Sequence, residues 1–228
     1  MMVKNYVIMP SILSADFLNL GDAIAECVAA GVDWLHLDIM DGHFVPNIAL
    51  GPGFVEACRR ATDLPLDVHL MIENPDRYLD AFAAAGASSI TVHYEVCPQL
   101  PETISKIRKL GIKAGIAISP DTAVDEIKDV LDLVDVVLVM TVQPGFAGQS
   151  FIESSTEKIR RMRSLIGAAG LGTHLQVDGG INRETAPECA EAGADFFVAA
   201  SAIFQHPNGI TAGIRAIQSS FEMSAAKT

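Results

Sequence analysis

The sequence predicts a single (β/α)8 TIM barrel of the α/β class, a parallel eight-stranded barrel with outer helices, and three observations predict it. Short apolar runs rich in β-branched residues alternate eight times with longer amphipathic segments. The short runs are apolar on both faces, which is typical of a parallel sheet covered by helices. The chain has 228 residues, the size of one such barrel, and no linker-like change of composition divides residues 1–228.

The predicted strands are short and recur after a similar junction. A helix end, a glycine and a strand follow one another in Ala29–Asp38, Ala84–His93 and Glu191–Ala200. The apolar runs have the length of strands and lack the ten or more residues of a typical helix. The predicted strands are Val7–Leu13, Trp34–Met40, Leu66–Met71, Ser89–His93, Lys113–Ile118, Val134–Met140, His174–Val177 and Phe196–Ala199.

The predicted helices fill the intervals between the strands, and their ends carry helix signals. Gly31, Gly86, Gly111 and Gly193 each follow an amphipathic run, where a helix favours a left-handed residue. Asn74 precedes a proline, a pattern typical of a helix start. The predicted helices are Gly21–Ala30, Gly53–Ala61, Pro75–Ala85, Pro101–Leu110, Ala123–Leu131, Glu153–Ala169, Arg183–Ala192 and Asn208–Ser220.

Composition and charge exclude several classes of protein. The net charge is −12 and the pI is near 4.8, which argues against a nucleic-acid binder, since such a protein is expected to carry a basic stripe. No apolar run reaches the ~18 residues of a transmembrane helix, and the first residues show no signal-peptide pattern. We therefore expect a cytoplasmic enzyme without a membrane partner. The four cysteines are scattered, which argues against a disulfide framework or a structural zinc site.

Polar residues collect where the predicted strands end, the edge that carries function in this fold. His36 and Asp38 alternate with apolar residues on one strand, Asp67 and His69 do so on the next, and Asp178 directly follows the seventh strand at the rim. Alternate side chains share a face, so histidines and aspartates from three strands can meet at the barrel axis. Each alone fits a core histidine or a capping aspartate, but a buried carboxylate is costly unless it is paired or binds a cation. Together they predict a site for Zn²⁺, Mn²⁺, Fe²⁺ or Co²⁺.

Two further features surround this predicted metal site. Met40, Met71 and Met140 stand at strand ends, and we expect them to form an apolar ring around the pocket. The loops after the last three strands read "QPGFAGQSF", "DGGIN" and "AASAIF". Their glycines, above all Gly145–Gly148 and the pair Gly179–Gly180, allow backbone N–H groups to approach an oxyanion. Barrels often bind phosphate at these loops, which predicts a phosphorylated substrate.

The segments "PSILSADF", "HLDIMDGHFVPN", "DVHLM", "PGFAGQSF" and "VDGG" follow one another along the chain, and together they resemble the ribulose-phosphate 3-epimerase family. The resemblance covers essentially the whole chain. It implies a (β/α)8 barrel that interconverts D-ribulose 5-phosphate and D-xylulose 5-phosphate. It also implies one divalent metal cation, zinc or else Fe²⁺, Mn²⁺ or Co²⁺, and a homo-oligomer, since relatives are often dimers or hexamers.

The resemblance implies a role for each matching residue. The metal ligands would be His36, Asp38, His69 and Asp178, and the two aspartates would be the catalytic acid/base pair. The implied substrate-binding residues are Ser11, His69, Met40, Met71, Met140, Gly145, Phe146, Ala147, Gly148, Gly179, Gly180, Ala200 and Ser201.

Two alanines depart from the family pattern. Members commonly read Gly-Phe-Gly-Gly where this chain has Ala147 as the third residue, and Gly-Ser where it has Ala200 before Ser201. Alanine at a position with φ > 0 would cost about 1 kcal/mol. Ala147 also resembles the allulose 6-phosphate 3-epimerase branch, so a hexulose 6-phosphate 3-epimerase is the near alternative.

Two more distant alternatives are a lyase and a non-catalytic sugar-phosphate-binding barrel. Related decarboxylating barrels use Asp-x-Lys-x-x-Asp at a strand end, and this chain has Met40 in the lysine position and His43 in the final aspartate position. A binder without activity would not need both candidate acid/base carboxylates.

Overall fold

The computed structural model describes residues 6–225, and it has nine strands in one curled sheet. Eight strands are parallel neighbours and are buried along almost their whole length, as expected for apolar runs covered on both faces. The strands are β1 Val7–Pro10, β2 Leu35–Asp41, β3 Ile48–Ala49, β4 Leu66–Met71, β5 Ser89–His93, β6 Lys113–Ile118, β7 Val136–Met140, β8 His174–Asp178 and β9 Phe196–Ala199.

The barrel closes through its first strand. β1 pairs in parallel with β9, with Val7 opposite Phe196, so the two ends of the sequence are neighbours in the sheet. On its other side, β1 continues into a single parallel bridge between Ser11 and His36 of β2. This bridge joins β1 to β2, the last parallel strand in the sheet order, and completes the ring. The predicted (β/α)8 barrel is confirmed.

Helices cover the outside of the barrel, and the inside is polar toward the site. Leu35, Leu37 and Ile39 of β2 pack outward into the hydrophobic core, and the alternate residues point inward. The helices are α1 Leu20–Ala29, α2 Pro52–Ala61, α3 Leu79–Ala84, α4 Leu100–Lys109, α5 Ser155–Ala168, α6 Thr185–Ala192, α7 Ser201–Phe204 and α8 Ile210–Ala225. Within the described residues, no helix is both long and apolar enough to cross a bilayer.

Several predicted boundaries are wrong in detail. β1 ends at Pro10, and Ile12–Ser14 form a 3-10 turn in place of the predicted strand end. The predicted helix Ala123–Leu131 is a 3-10 helix, Val124–Leu133. The short helix α7 and the antiparallel strand β3, which pairs with the end of β2, were not predicted.

Other differences concern a helix cap and the chain ends. A 3-10 helix begins at Pro75 directly after Asn74, as predicted, but Asn74 has a left-handed backbone and its side chain makes no cap hydrogen bond. All four cysteines are buried, and none of them forms a disulfide. The predicted single domain over residues 1–228 stays a prediction, since residues 1–5 and 226–228 lie outside the described residues.

Candidate active site

The pairing of β2 with β4 brings the polar residues of the two strands together. In this parallel register His36 lies opposite Asp67, and Asp38 lies opposite His69. All four side chains are buried inside the barrel because they alternate with residues of the outer core. Asp178 ends β8, which is separated from β2 by β1 and β9 in the ring, and keeps 15 % of its side chain exposed.

Four predicted residues form one cluster. His36, Asp38, His69 and Asp178 each offer one ligand atom, and these four atoms lie within 4.8 Å of one another. Asp38 Oδ1 lies 3.1 Å from His36 Nε2 and 2.9 Å from His69 Nδ1. Asp178 Oδ2 lies 3.9 Å and 3.8 Å from the same two nitrogens. Two imidazoles and two carboxylates are a donor set suited to a divalent transition metal, so the residues present fit such an ion.

The ring of His36 is fixed from behind by a carboxylate. Its Nδ1 lies 2.8 Å from Asp67 Oδ2. Asp67 in turn accepts hydrogen bonds from the Ser89 hydroxyl and, over 2.8 Å, from Gln176 Nε2. An ionised carboxylate only accepts, so Nδ1 of His36 carries a proton and Nε2 faces the cluster.

A second row of contacts supports His69. Its Nε2 lies 2.9 Å from Nε2 of His93, and Nδ1 of His93 lies 2.9 Å from Glu95 Oε2. The two imidazole rings are stacked, with centroids 5.0 Å apart. His93 is fully buried.

The cluster separates the pKa values of its two candidate acid/base residues. Burial raises the pKa of Asp178 to about 8, and the nearby charge of Asp38 acts in the same direction. Burial alone would also raise the pKa of Asp38. The charge and hydrogen bond of His36, together with the smaller contributions of the hydrogen bond and charge of His69, hold this pKa well below its usual range. One carboxyl of the pair therefore favours its protonated form and the other its ionised form, the arrangement that acid/base catalysis needs.

The two histidines shift in opposite directions. Burial alone would lower the pKa of His36, but the adjacent Asp38 and Asp67 raise it well above the usual value. Burial lowers the pKa of His69 to about 4, because the hydrogen bond that its ring makes to Asp38 and the charge of that carboxylate do not offset the loss of hydration. Without a cation, His36 therefore holds a proton on the nitrogen that faces the cluster.

The cluster forms the floor of a cavity of about 470 Å³ at the C-terminal ends of the strands. Ser11 Oγ donates a hydrogen bond to Asp38 Oδ2 over 2.6 Å and so orients this carboxylate. Met40, Met71 and Met140 are buried in the wall, as predicted from their strand-end positions. Apolar thioether walls offer little competition for the polar groups of a ligand.

Glycine-rich loops form the opposite side of the cavity. Gly145, Gly148, Gly179 and Gly180 all have positive φ, so these backbones require glycine or strain. A Cβ on Gly180 would lie 2.6 Å from the backbone nitrogen of Phe151, which leaves no room for any side chain. These tightly packed loops can present backbone N–H groups to an anion.

The two alanines that depart from the family pattern are not strained in this way. Among the described residues, only Leu50 and Asn74 combine a side chain with a positive φ. Ala200 has a φ of −110°, and both Ala147 and Ala200 line the cavity beside Ser201. The methyl groups therefore narrow the rim without the backbone cost that a positive φ would impose.

Every predicted substrate-binding residue lines this cavity except His69. That ring is fully buried beneath the Asp38 carboxylate, so it reaches the cavity only through its neighbours. Phe146 is 54 % exposed at the mouth. The cavity-lining residues that were predicted are Ser11, Met40, Met71, Met140, Gly145, Phe146, Ala147, Gly148, Gly179, Gly180, Ala200 and Ser201.

Sequence reasoning missed several supporting residues. Asp67 was noted on the same strand face as His69, but its contact with His36 could not be predicted without the strand register. Glu95 and Gln176 gave no signal of their own in the sequence. Asn47, inside the segment "HLDIMDGHFVPN", donates to the carbonyl oxygen of Gly145 and so joins two loops of the rim.

Comparisons with known proteins identify the family of this chain. The family model described as the ribulose-phosphate 3 epimerase family matches residues 7–204. A ribulose-phosphate 3-epimerase of Bacillus subtilis is 54 % identical over 198 residues, which cover 86 % of this chain and 91 % of that protein. One from Rhodobacter capsulatus is 50 % identical over 202 residues, covering 89 % of this chain and 87 % of that protein.

A solved structure supports the fold alone. The crystal structure of KGPDC from Streptococcus mutans superposes with a TM-score of 0.70 over 96 % of this chain and 98 % of that one. The two sequences are only 15 % identical, so this likeness shows a shared barrel and carries no argument about the reaction.

Proposed function

The chain belongs to the ribulose-phosphate 3-epimerase family of isomerases, and on this premise we propose that it interconverts D-ribulose 5-phosphate and D-xylulose 5-phosphate by proton transfer at C3. Asp38 and Asp178 are the proposed acid/base pair. A divalent cation, zinc among the candidates, is the proposed cofactor.

One observation carries this proposal. The oxygens of Asp38 and Asp178 and the nitrogens of two histidines lie within 4.8 Å of one another. The two aspartates line the floor of a cavity whose rim is built from glycine loops, and the histidines are buried behind them. A sugar phosphate has a ketone and hydroxyls at one end and a phosphate at the other. The cavity offers acid/base groups and a cation site on one side and backbone N–H groups on the other.

The two aspartates can act from different sides of a bound sugar. Asp38 projects from β2 and Asp178 from β8, and both side chains reach the cavity. Epimerisation at C3 needs a base that removes the proton on one face and an acid that returns a proton on the other. Their opposed pKa shifts favour one ionised and one protonated carboxyl at neutral pH. In the reverse reaction the two aspartates exchange their roles as base and acid.

The cation would be held by His36, Asp38, His69 and Asp178. When bound, it would offset the negative charge that develops on the substrate oxygens after C3 loses its proton. The histidines would hold it without adding negative charge to the site, and their far nitrogens are already fixed by Asp67 and His93.

The remaining lining residues hold the sugar and exclude water. Met40, Met71 and Met140 pack around the reacting end, where they leave no competing donor or acceptor beside C3. The proposed phosphate contacts come from the loops Gly145–Gly148 and Gly179–Gly180, whose backbones are free to approach an anion.

The test is deuterium incorporation at C3 of D-ribulose 5-phosphate in D₂O, followed by NMR with zinc-loaded protein. We expect exchange and formation of D-xylulose 5-phosphate. Asp178→Asn should slow both by at least about 100-fold, since acid/base groups contribute roughly 10²–10⁴-fold. The matched control is Asp129→Asn, at an exposed position outside the cavity lining, which should keep wild-type rates.

Two outcomes would contradict the proposal. If folded, metal-loaded wild type exchanges no deuterium with any sugar phosphate, the barrel is a binder and not an enzyme. If it turns over allulose 6-phosphate faster than D-ribulose 5-phosphate, the hexulose alternative suggested by Ala147 replaces the pentulose assignment.

A further inference from the structure

A row of hydrogen-bonding groups runs outward from His69 to the rim of the barrel. Nε2 of His69 meets Nε2 of His93 at 2.9 Å, and Nδ1 of His93 meets Glu95 Oε2 at 2.9 Å. His93 is fully buried and Glu95 keeps 23 % of its side chain exposed. The row therefore links the buried cluster to a carboxylate near the surface.

The carboxylate at the end of the row is fixed and ionised. Glu95 Oε1 accepts hydrogen bonds from the Thr122 hydroxyl and, over 2.7 Å, from the backbone N–H of Ser119. Burial alone would raise the pKa of Glu95, but these contacts and the hydrogen bond from His93 lower it to about 2. An ionised carboxylate has no proton to give, so Nδ1 of His93 must donate to it.

Because Glu95 can only accept, it fixes which atom donates and which accepts in each hydrogen bond of the row. A neutral His93 that donates through Nδ1 has a free lone pair on Nε2 and can only accept there. When a cation takes the lone pair on Nδ1 of His69, the proton of that ring must lie on Nε2. The bare Nε2 of His93 is the acceptor that this proton needs. The far nitrogen of a metal-bound histidine is normally held by such a partner.

We propose that Glu95 and His93 are positioning residues that hold His69 with Nδ1 directed at the cation and Nε2 protonated. The inference deepens the proposed function and rests on it, because it assumes the cation site. The two histidine ligands would then bind through different nitrogens. His36 uses Nε2, with Nδ1 held directly by Asp67, and His69 uses Nδ1, with Nε2 held through the His93 relay.

Neighbouring groups hold this row of His69, His93 and Glu95 in one geometry. The rings of His69 and His93 stack with an angle of 26°, and the ring of Phe44 packs on His93 at 4.7 Å between centroids. His93 ends β5, and its backbone is fixed by the sheet. A relay with little freedom can impose one orientation on His69, whereas a mobile chain of groups could not.

The discriminating variant is Glu95→Gln, because an amide can also turn its NH₂ group toward His93. An NH₂ group that donates to Nδ1 of His93 would leave the proton of that ring on Nε2. The two Nε2 atoms of His93 and His69 would then both carry protons, and no hydrogen bond could form between them. The matched control is Thr122→Val, which removes a hydrogen bond from the same carboxylate but leaves the contact with His93. His93→Phe is a second variant that deletes the acceptor and keeps a ring beside Phe44.

Two readouts other than activity test the proposal. Zinc affinity is measured by competition with a chromogenic chelator, and the hydrogen bond is detected by NMR as a scalar coupling between the two Nε2 atoms of His69 and His93 in ¹⁵N-histidine-labelled, zinc-loaded protein. We expect the coupling in wild type and in Thr122→Val. In Glu95→Gln and His93→Phe we expect it to be lost and the zinc Kd to rise about 10–100-fold.

The failure of this inference differs from the failure of the proposed function. If wild type binds zinc but Glu95→Gln matches Thr122→Val in both readouts, the positioning role is overturned while the cation site stands. If wild type binds no zinc, both are overturned. Melting temperatures measured with EDTA establish that each variant is folded, so a change in zinc affinity reports on the site.

Discussion

The side-chain amide of Asn47 donates a hydrogen bond over 2.8 Å to the carbonyl oxygen of Gly145. The contact joins the loop after β2, which follows the proposed acid/base residue Asp38, to the loop after β7 that is proposed to hold phosphate. Val45 packs against Gly145 at the same place, and an added Cβ there would lie 3.2 Å from the valine side chain. The two halves of the cavity rim are therefore fixed to each other.

We expect Asn47→Ala to weaken substrate binding more than it slows the chemical step. Loss of one hydrogen bond of about 1 kcal/mol frees the Gly145 loop, so KM for the sugar phosphate should rise roughly five-fold while kcat changes little. Steady-state kinetics measure this. Asn19→Ala removes an exposed amide contact with Asp16, outside the cavity lining, and serves as the control with an unchanged KM. A fall in kcat alone for Asn47→Ala would contradict the expectation.

Two glycines of the phosphate loops should respond differently to alanine. Gly148 has a φ of +77° and open space around it, so Gly148→Ala should cost only the left-handed strain of about 1–2 kcal/mol. Gly180→Ala adds an overlap with the backbone of Phe151, which cannot move aside as a side-chain end could. We expect its cost to exceed about 4 kcal/mol, and urea denaturation of both variants measures the difference. Equal costs would show that the Phe151 segment yields easily.

Cation binding at pH 7 should release protons. Burial and the charge of Asp38 raise the pKa of Asp178 to about 8, so this carboxyl is mostly protonated at pH 7 and must lose its proton to become a ligand. Zinc affinity should therefore increase as the pH rises toward 8, and the proton on the cluster-facing nitrogen of His36 adds to this dependence. Calorimetry in buffers of different ionisation enthalpy should show at least one proton released per zinc ion.

The control for this measurement is Asp178→Asn, which has no carboxyl proton to lose at this position. It should release about one proton fewer than wild type at pH 7, with weaker binding. An equal release in the two proteins would assign the proton to another group, such as His36.

Removal of the cation should lower the melting temperature. A ligand at 100 times its Kd stabilises the native state by about 2.7 kcal/mol, which corresponds to about 5–11 °C for a chain of this size. Differential scanning calorimetry with zinc and with EDTA measures the shift. Asp38→Asn should show little response to EDTA, because it lacks a carboxylate at the centre of the cluster. An identical melting temperature for wild type in both conditions would contradict a bound cation.

Most of the barrel and the four-residue cluster could be predicted because both depend on local periodicity. Alternation along β2 and β4 places His36, Asp38 and His69 on the inner face, and this needs only a strand and its direction. The antiparallel strand β3 could not be predicted, because a strand of two residues is too short to show an alternating pattern of apolar and polar side chains. The 3-10 geometry of Val124–Leu133 was missed because its apolar spacing matches that of an α-helix.

The supporting contacts could not be predicted because they depend on geometry between strands. The Asp67–His36 contact requires the register of β2 and β4, and the turn of Glu95 toward His93 follows from a 3-10 turn after β5. The sequence identifies which residue types face inward, and the fold decides which nitrogen of each histidine is free. The predicted homo-oligomer stays a prediction.

The pairing of β1 with β9 also sets an order of events during translation. The first strand leaves the ribosome early, but its partner Phe196–Ala199 is among the last parts of the barrel to be made. Three of the proposed cation ligands lie before residue 70, whereas Asp178 and the glycine loops come much later. A nascent chain therefore carries an incomplete ligand set, and the ring cannot close until nearly all of it has been synthesised. Barrel closure and completion of the catalytic site both wait for the last strands of the chain.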